Sequence, residues 1–263
     1  MFWSSLPPQK AVFIVGYWNS GTTLLTDILR KHPDLHLARG RRLPNLEERS
    51  IEKLFLKAGT PFHQFGDYSE VLAHGFENYH SPHWNKDQTA DFLRAFHRKF
   101  RTPKGKDLLL KNPWLFFYQE WIKETFTGYP VRKIMILRNG YSQVVSKDYW
   151  LRTEGEPASQ LKARAIFWHK AMDRYFQTWH NDPDCLTIRY ENLCSDPMAI
   201  VRQVCLHLNI DPNPLTPHLP DAFENRLTRW HQLEDGLKEM VHAEISAVQD
   251  RMDKIFPLRN PLT

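Results

Sequence analysis

Cysteine is scarce in this sequence: Cys185, Cys194 and Cys205 are all there are among 263 residues. Their number is odd and their spacing fits no metal-ligand pattern. That excludes a disulfide scaffold or a zinc module and points to buried thiols in a reducing compartment, with no metal expected. Glycine is sparse as well, at 11, and no repeat or low-complexity segment occurs. No apolar run approaches the roughly 20 residues of a membrane span. The opening Met1-Phe2-Trp3-Ser4 lacks the basic flank and apolar stretch of a secretory signal. A dominant charge is missing too: 35 Lys and Arg against 30 Asp and Glu leave +5. That balance suits a small anionic ligand and is too weak and dispersed for a nucleic-acid surface. What is present is an ordinary globular composition, 41% hydrophobic and 25% charged, and the expectation is a soluble, cytoplasmic enzyme.

The run Ala11-Val12-Phe13-Ile14-Val15-Gly16 is continuously apolar and of strand length, as in a strand buried on both faces of a parallel sheet. Polar Tyr17 to Gly21 follows, and then Thr22 to Lys31 reads as a helix with Leu24, Leu25, Ile28 and Leu29 on one side. Strand, short glycine-bounded loop and helix open a doubly wound α/β domain. Further strands are predicted at Asp107–Lys111, Val131–Arg138 and Cys185–Tyr190, and helices after Pro113, after Arg138 through Tyr149, from Ala158 to His180, and from Pro197 to Leu208. The stretch 33–105 is less regular, with helices expected at Asn45–Ala58 and Asp87–Phe100. It reads either as a lid-like insertion shaping an acceptor site or as a packed connection. The whole chain, 1–263, is expected to form one domain: three layers, α/β/α, around a mostly parallel sheet.

Four strands end in polar signatures: Gly16 with its loop, Lys111, Arg138 and Tyr190-Glu191. In an open parallel sheet these ends share one edge, where ligands bind. The loop Gly16-Tyr17-Trp18-Asn19-Ser20-Gly21-Thr22-Thr23 has the glycine spacing of a phosphate-binding loop. Its backbone amides, the following helix N-terminus and the hydroxyls of Ser20, Thr22 and Thr23 supply donors. A nucleotide triphosphatase would need lysine where Thr22 stands, and an aspartate for Mg²⁺ where the strands end in Lys111 and Arg138. Ordinary ATP hydrolysis is therefore not expected.

At these residues the chain resembles the sulfotransferases that use 3′-phosphoadenosine-5′-phosphosulfate (PAPS). Their first loop reads Pro-(Lys/Arg)-Ser-Gly-Thr-Thr, and Ser20-Gly21-Thr22-Thr23 matches its end, with Trp18 and Asn19 in the first two places. Their second signature, a strand ending in arginine with a serine eight residues later, corresponds to Arg138 and Ser146. Leu109-Leu110-Lys111-Asn112-Pro113, Tyr190-Glu191-Asn192-Leu193 with Asp196-Pro197, and Trp230 follow the bacterial-type members in order. The resemblance implies that Ser20 to Thr23 hold the 5′-phosphosulfate and that Arg138 and Ser146 hold the 3′-phosphate, with Trp18 and Asn19 counted among the donor-binding positions of the loop. Tyr190 would lie near the adenine, and Arg229, with Arg226 and Trp230, would close over the nucleotide. It implies sulfuryl transfer from PAPS, leaving adenosine 3′,5′-bisphosphate, to a hydroxyl or amine of a small-molecule, glycan or peptide acceptor, without a metal.

Each position has a plainer reading beside the functional one. Ser146 reads equally as a helix serine bonded to its own backbone, Tyr190 as a core tyrosine, Arg226 and Arg229 as a solvent-facing basic helix, and Lys111 as an exposed strand end. The basic Arg39-Gly40-Arg41-Arg42 reads as a solvated loop or a site for an anionic acceptor. Two departures from the family bear on catalysis. Asn19 replaces the loop cation, which leaves Lys111 to face the developing charge, and Pro113 stands where some relatives place a histidine base. Glu47 and Glu48 are the nearest carboxylates for the proton. The competing classes are a non-catalytic nucleotide-binding or scaffold protein of the same fold, favoured by Asn19, and an atypical P-loop kinase.

Overall fold

The computed structural model describes residues 10–38, 46–48, 50–57, 84–146, 157–224 and 228–259. Arg39 to Arg42, residues 58–83, Tyr149 and Arg226 lie outside them. Five strands, β1 (Ala11–Gly16), β2 (Leu35–Leu37), β3 (Asp107–Lys111), β4 (Val131–Leu137) and β5 (Cys185–Arg189), form one sheet in the order β2-β3-β1-β4-β5. Every pairing is parallel. β1 is central, with Ala11 level with Leu108 on one side and Val131 on the other.

The continuous apolar run of β1 has a direct cause: both faces of the sheet are covered. Phe13 and Val15 join Leu108, Leu110, Met135 and Leu137 in one buried layer. Val12 and Ile14 point the other way, into a layer with Leu109, Ile134, Ile136 and Ile188. Helices α1 (Thr22–Leu29) and α8 (Pro197–Leu208) cover the second face through Leu25, Ile28, Val201 and Val204. The first face is covered by α3 (Lys86–Lys99), α4 (Gln119–Thr125), α6 (Pro157–Gln177) and α10 (Asp235–Ile255). The expected stripe on α6, Leu161, Ala165, Trp168, Met172 and Phe176, with Trp179 just beyond it, is buried throughout.

Boundaries moved where local chemistry intervened. α3 starts at a capping box: Asn85 Oδ1 accepts from the Gln88 amide at 2.9 Å and Gln88 Oε1 accepts from the Asn85 amide at 3.0 Å. α8 opens on Asp196, whose carboxylate accepts from the Ala199 amide at 3.0 Å, with Pro197 in its first turn. The helix expected after Pro113 is split into a 3₁₀ segment (Pro113–Phe117) and α4. The helix expected at Asn45–Ala58 starts later: residues 46–48 are described and not helical, with Leu46 at φ 60°, and the helix is α2 (Ser50–Lys57). β2 lies within the stretch read as an insertion, so that stretch also contributes an edge strand to the main sheet. α10 was not expected. Its Val241, Ile245, Val248 and Met252 are buried against α6, each contributing about 1.5–3 kcal/mol by burial, so it belongs to the core.

The remaining short helices are α5 (Gly140–Val144), α7 (Tyr190–Ser195) and α9 (Thr228–His231). β5 ends at Arg189, and Tyr190 begins α7. No described helix is long and apolar enough to cross a membrane. The cysteines are free, with Cys194 and Cys205 buried and Cys185 partly so.

Candidate active site

The carboxyl ends of β1, β3, β4 and β5 open on one edge, and the first loop lies across it. Tyr17 to Gly21 turns tightly: the Ser20 amide donates to the Tyr17 carbonyl at 3.2 Å, and the Gly21 carbonyl accepts from the Leu25 amide at 3.2 Å. Asn19 sits at φ 58° and Gly21 at φ 98°, backbone regions that asparagine tolerates and glycine prefers. Gly21 is demanded by space as well, since a Cβ there would lie 2.2 Å from Cδ2 of Tyr190. Ser20 is fully buried, and its Oγ is without a hydrogen-bond partner among the described residues. A buried orphan hydroxyl beside the N-terminus of α1 fits an anion that would accept from it.

Lys111, at the end of β3, points under this loop. It is 2% exposed, and its Nζ donates to Thr23 Oγ1 at 2.8 Å and lies 3.6 Å from Glu47 Oε1. Burial pushes its pKa down to about 8, against the opposing pull of the Glu47 carboxylate. The exposed-strand-end reading of Lys111 is therefore corrected: neighbouring chain covers it. Glu48 turns the other way, 1% exposed, with Oε1 accepting from the Ser50 amide at 2.6 Å. Its backbone is pinned to β3, the Glu48 amide donating to the Lys111 carbonyl at 2.9 Å and the Glu48 carbonyl accepting from Asn112 Nδ2 at 3.1 Å. Of the two candidate carboxylates, Glu47 stands beside the lysine and Glu48 anchors the segment that carries it.

On the other side, Arg138 Nη1 donates to the Asn19 carbonyl at 2.9 Å, and its guanidinium lies 4.5 Å above the Tyr190 ring. Burial raises the Tyr190 pKa to about 12, so the ring stays neutral. Ser146 accepts from Asn19 Nδ2 at 2.9 Å and donates to the Gln143 carbonyl at 2.7 Å. Ser146 thus bonds its own backbone, as the plainer reading has it, but it stands just beyond α5, which ends at Val144. Gln143 adds a tie that the sequence reading missed: its Nε2 donates to the Trp18 carbonyl at 2.8 Å and its Oε1 accepts from Trp168 Nε1 at 2.8 Å. Trp18 itself stacks on Phe167, with centroids 5.4 Å apart. Arg229 is exposed on α9, whose Trp230 packs on Tyr141 at 4.6 Å. The loop, Lys111, Glu47, Arg138, Tyr190 and Ser146 are thus brought together, while Arg229 stays on the surface of its own helix.

Fold and edge together define a class: α/β proteins whose first loop lies between cations at the carboxyl end of a parallel sheet. Within that class, the sulfotransferase family model matches residues 11–214, and the chain belongs to the sulfotransferase family. No curated protein sequence matches. Among solved structures, a sulfotransferase from Alicyclobacillus acidocaldarius is similar over 94% of this chain and 95% of its own, at 17% identity and a TM-score of 0.56. Sulfotransferase STF9 from Mycobacterium avium is similar over 94% of this chain and 78% of its own, at 14% identity and a TM-score of 0.60. Mouse sulfotransferase SULT7A1, complexed with PAP, is similar over 94% and 88%, at 15% identity and a TM-score of 0.52. At such identities the likeness is one of fold.

Proposed function

We propose that the protein transfers a sulfuryl group from PAPS to a hydroxyl or amine of an acceptor. The observation that carries this reading is the pair of cations held on opposite sides of one loop, Lys111 at Thr23 and Arg138 at the Asn19 carbonyl. A donor with phosphate at both the 3′ and 5′ positions needs two separated anion sites. A PAP complex of a protein of similar fold supports the same choice. The amides of residues 20–23 and the Ser20 hydroxyl would hold the 5′ end. Arg138 would hold the 3′-phosphate, with Tyr190 beneath the guanidinium.

PAPS, when bound, supplies an activated sulfuryl group on a good leaving group. In the transfer, the acceptor oxygen or nitrogen bonds to sulfur as the bond from sulfur to the bridging oxygen breaks, and the acceptor proton leaves to a base. Charge collects on the bridging oxygen. Asn19 can donate a hydrogen bond there but carries no charge, so the ammonium of Lys111 is the group suited to meet it. Glu47 is the carboxylate suited to take the proton, and its pairing with Lys111 orients it.

The test is sulfur-labelled PAPS offered with a panel of hydroxyl and amine acceptors, with calorimetry of adenosine 3′,5′-bisphosphate alongside. Labelled product and a bisphosphate affinity independent of Mg²⁺ are expected. Tighter, Mg²⁺-dependent binding of ADP would overturn the reading in favour of a kinase. Bisphosphate binding without transfer to any acceptor would leave the neutral loop at Asn19 as the mark of a binding protein. Arg138→Ala should weaken the bisphosphate roughly ten- to a hundredfold more than adenosine 5′-monophosphate, the range of a charge-assisted bidentate contact.

A further inference from the structure

Helix α10 begins beyond the residues that the family model matches, yet one of its side chains reaches the turn directly after Arg138 and a second supports the first. The Gly140 amide donates to Gln249 Oε1 at 2.8 Å. The neighbouring Asn139 amide donates to Glu191 Oε1 at 2.8 Å. These two acceptors are themselves joined. Gln249 Nε2 donates to both oxygens of Asp253 at 2.9 Å. Asp253 accepts from Arg189 Nη1 at 2.7 Å, and Arg189 Nε donates to Glu191 Oε2 at 3.1 Å. The chain of bonds closes on itself: two consecutive peptide amides, a carboxamide, a carboxylate, a guanidinium and a second carboxylate.

The ring lies mostly out of water, with Arg189 at 1% and Glu191 and Gln249 at 2% exposure. Its chemistry at residue 249 is specific. That side chain must accept from a peptide N–H and donate to a carboxylate at once, which a carboxamide does and a carboxylate does not. The ring also brackets the groups that meet the nucleotide in the proposed donor complex. Asn139 and Gly140 follow Arg138 in sequence, and Asn139 Oδ1 accepts from the Ser142 amide at 3.2 Å, which fixes the start of α5. Tyr190, the ring beneath the Arg138 guanidinium, lies between Arg189 and Glu191. The root of the arginine and its aromatic floor are therefore tied to the same closed network. Gly140 has no room for a side chain, since a Cβ there would stand 2.7 Å from the Trp168 ring.

We propose that Gln249 and Asp253 are positioning residues for the anion at Arg138: without touching the nucleotide, they fix the peptide that aims the guanidinium, so that recognition of the 3′-phosphate depends on the last helix. This rests on PAPS being the donor. The test is calorimetry of adenosine 3′,5′-bisphosphate and adenosine 5′-monophosphate on the full chain, comparing Gln249→Ala, Asp253→Asn and Val248→Ala. Val248 is buried on the same helix but outside the ring, so it reports loss of packing alone. Gln249→Ala should reduce the preference for the bisphosphate about fivefold or more, the cost of one hydrogen bond to a constrained group, with the monophosphate nearly unchanged. Val248→Ala should leave the preference intact, and in an Arg138→Ala background Gln249→Ala should no longer alter it. Equal weakening of both nucleotides by Gln249→Ala, or an equal loss of preference in Val248→Ala, overturns the proposal. If Gln249→Ala does not fold, Asp253→Asn, at a more exposed position, decides: a preserved preference overturns the proposal and a lowered one supports it. A wild-type protein with no preference would instead sink the donor reading, and this proposal with it.

Discussion

Lys111 is buried with its charge only partly compensated, and that arrangement makes its titration visible. In the free protein its pKa is pushed down to about 8 by burial, so the ammonium is lost as pH rises through that value. If the ammonium meets charge on the leaving oxygen, kcat/KM should fall above about pH 8. Lys111→Arg, which stays charged, should remove that limb, and a pH–rate series on both proteins checks it. Lys111→Ala should lower kcat by roughly a hundredfold or more while moving bisphosphate affinity little, because the contact strengthens only as charge develops. Stability carries the opposite sign. The unfolded chain holds this proton up to about 10.5, so between about 8 and 10.5 it binds more protons than the folded one. There the contribution of Lys111 to stability rises with pH. Asn19→Lys tests the same charge from the other side. It supplies the cation that the loop lacks and should leave the rate unchanged or raise it. At φ 58°, however, it should cost about 1 kcal/mol of stability, which a thermal melt would register.

The elements differ in how far they bear on the site. The capping box that begins α3 lies apart from the loop, so Asn85→Ala should cost about 1 kcal/mol and lower the melting temperature a few degrees with nucleotide binding unchanged. β1, β3 and β4 were legible in the sequence because burial on both faces of the sheet calls for apolar runs such as 11–15, 108–110 and 134–137. β5 was legible by its length although it is mixed in character, with only Ile188 and Arg189 fully buried. β2 was not, since Leu35-His36-Leu37 is three residues long with a polar centre, and at an edge only pairing with β3 makes it a strand. The loop donors and Arg138 could be read from motif spacing. The contact of Glu47 with Lys111 could not, because it depends on a segment from elsewhere in the chain folding back over β3. Gln249 was hidden differently. Its helix carries a readable three- and four-residue spacing at Val241, Ile245, Val248 and Met252, but a lone glutamine on that helix gives no sign that it meets a peptide amide more than a hundred residues earlier.

For the molecule as a whole, the sheet order governs how the chain can fold. The first strand is central, and its partners, level with it at Leu108 and Val131, come on the order of a hundred residues later, so no local hairpin can nucleate the sheet. Closing such long loops must be offset before any pairing rewards it, which places the protein among slow, non-local folders. During synthesis, at about 5–20 residues per second, Ala11 to Gly16 would wait several seconds or longer for β4 to emerge. Through that interval a fully apolar strand, with unpaired backbone on both sides, invites misassembly. A fragment ending before Val131 should therefore show no protected amides in β1 by hydrogen exchange, whereas the full chain should protect β1 most strongly of all its strands. The placement that gathers loop, lysine and arginine along one edge also makes the site among the last parts of the protein to come into being.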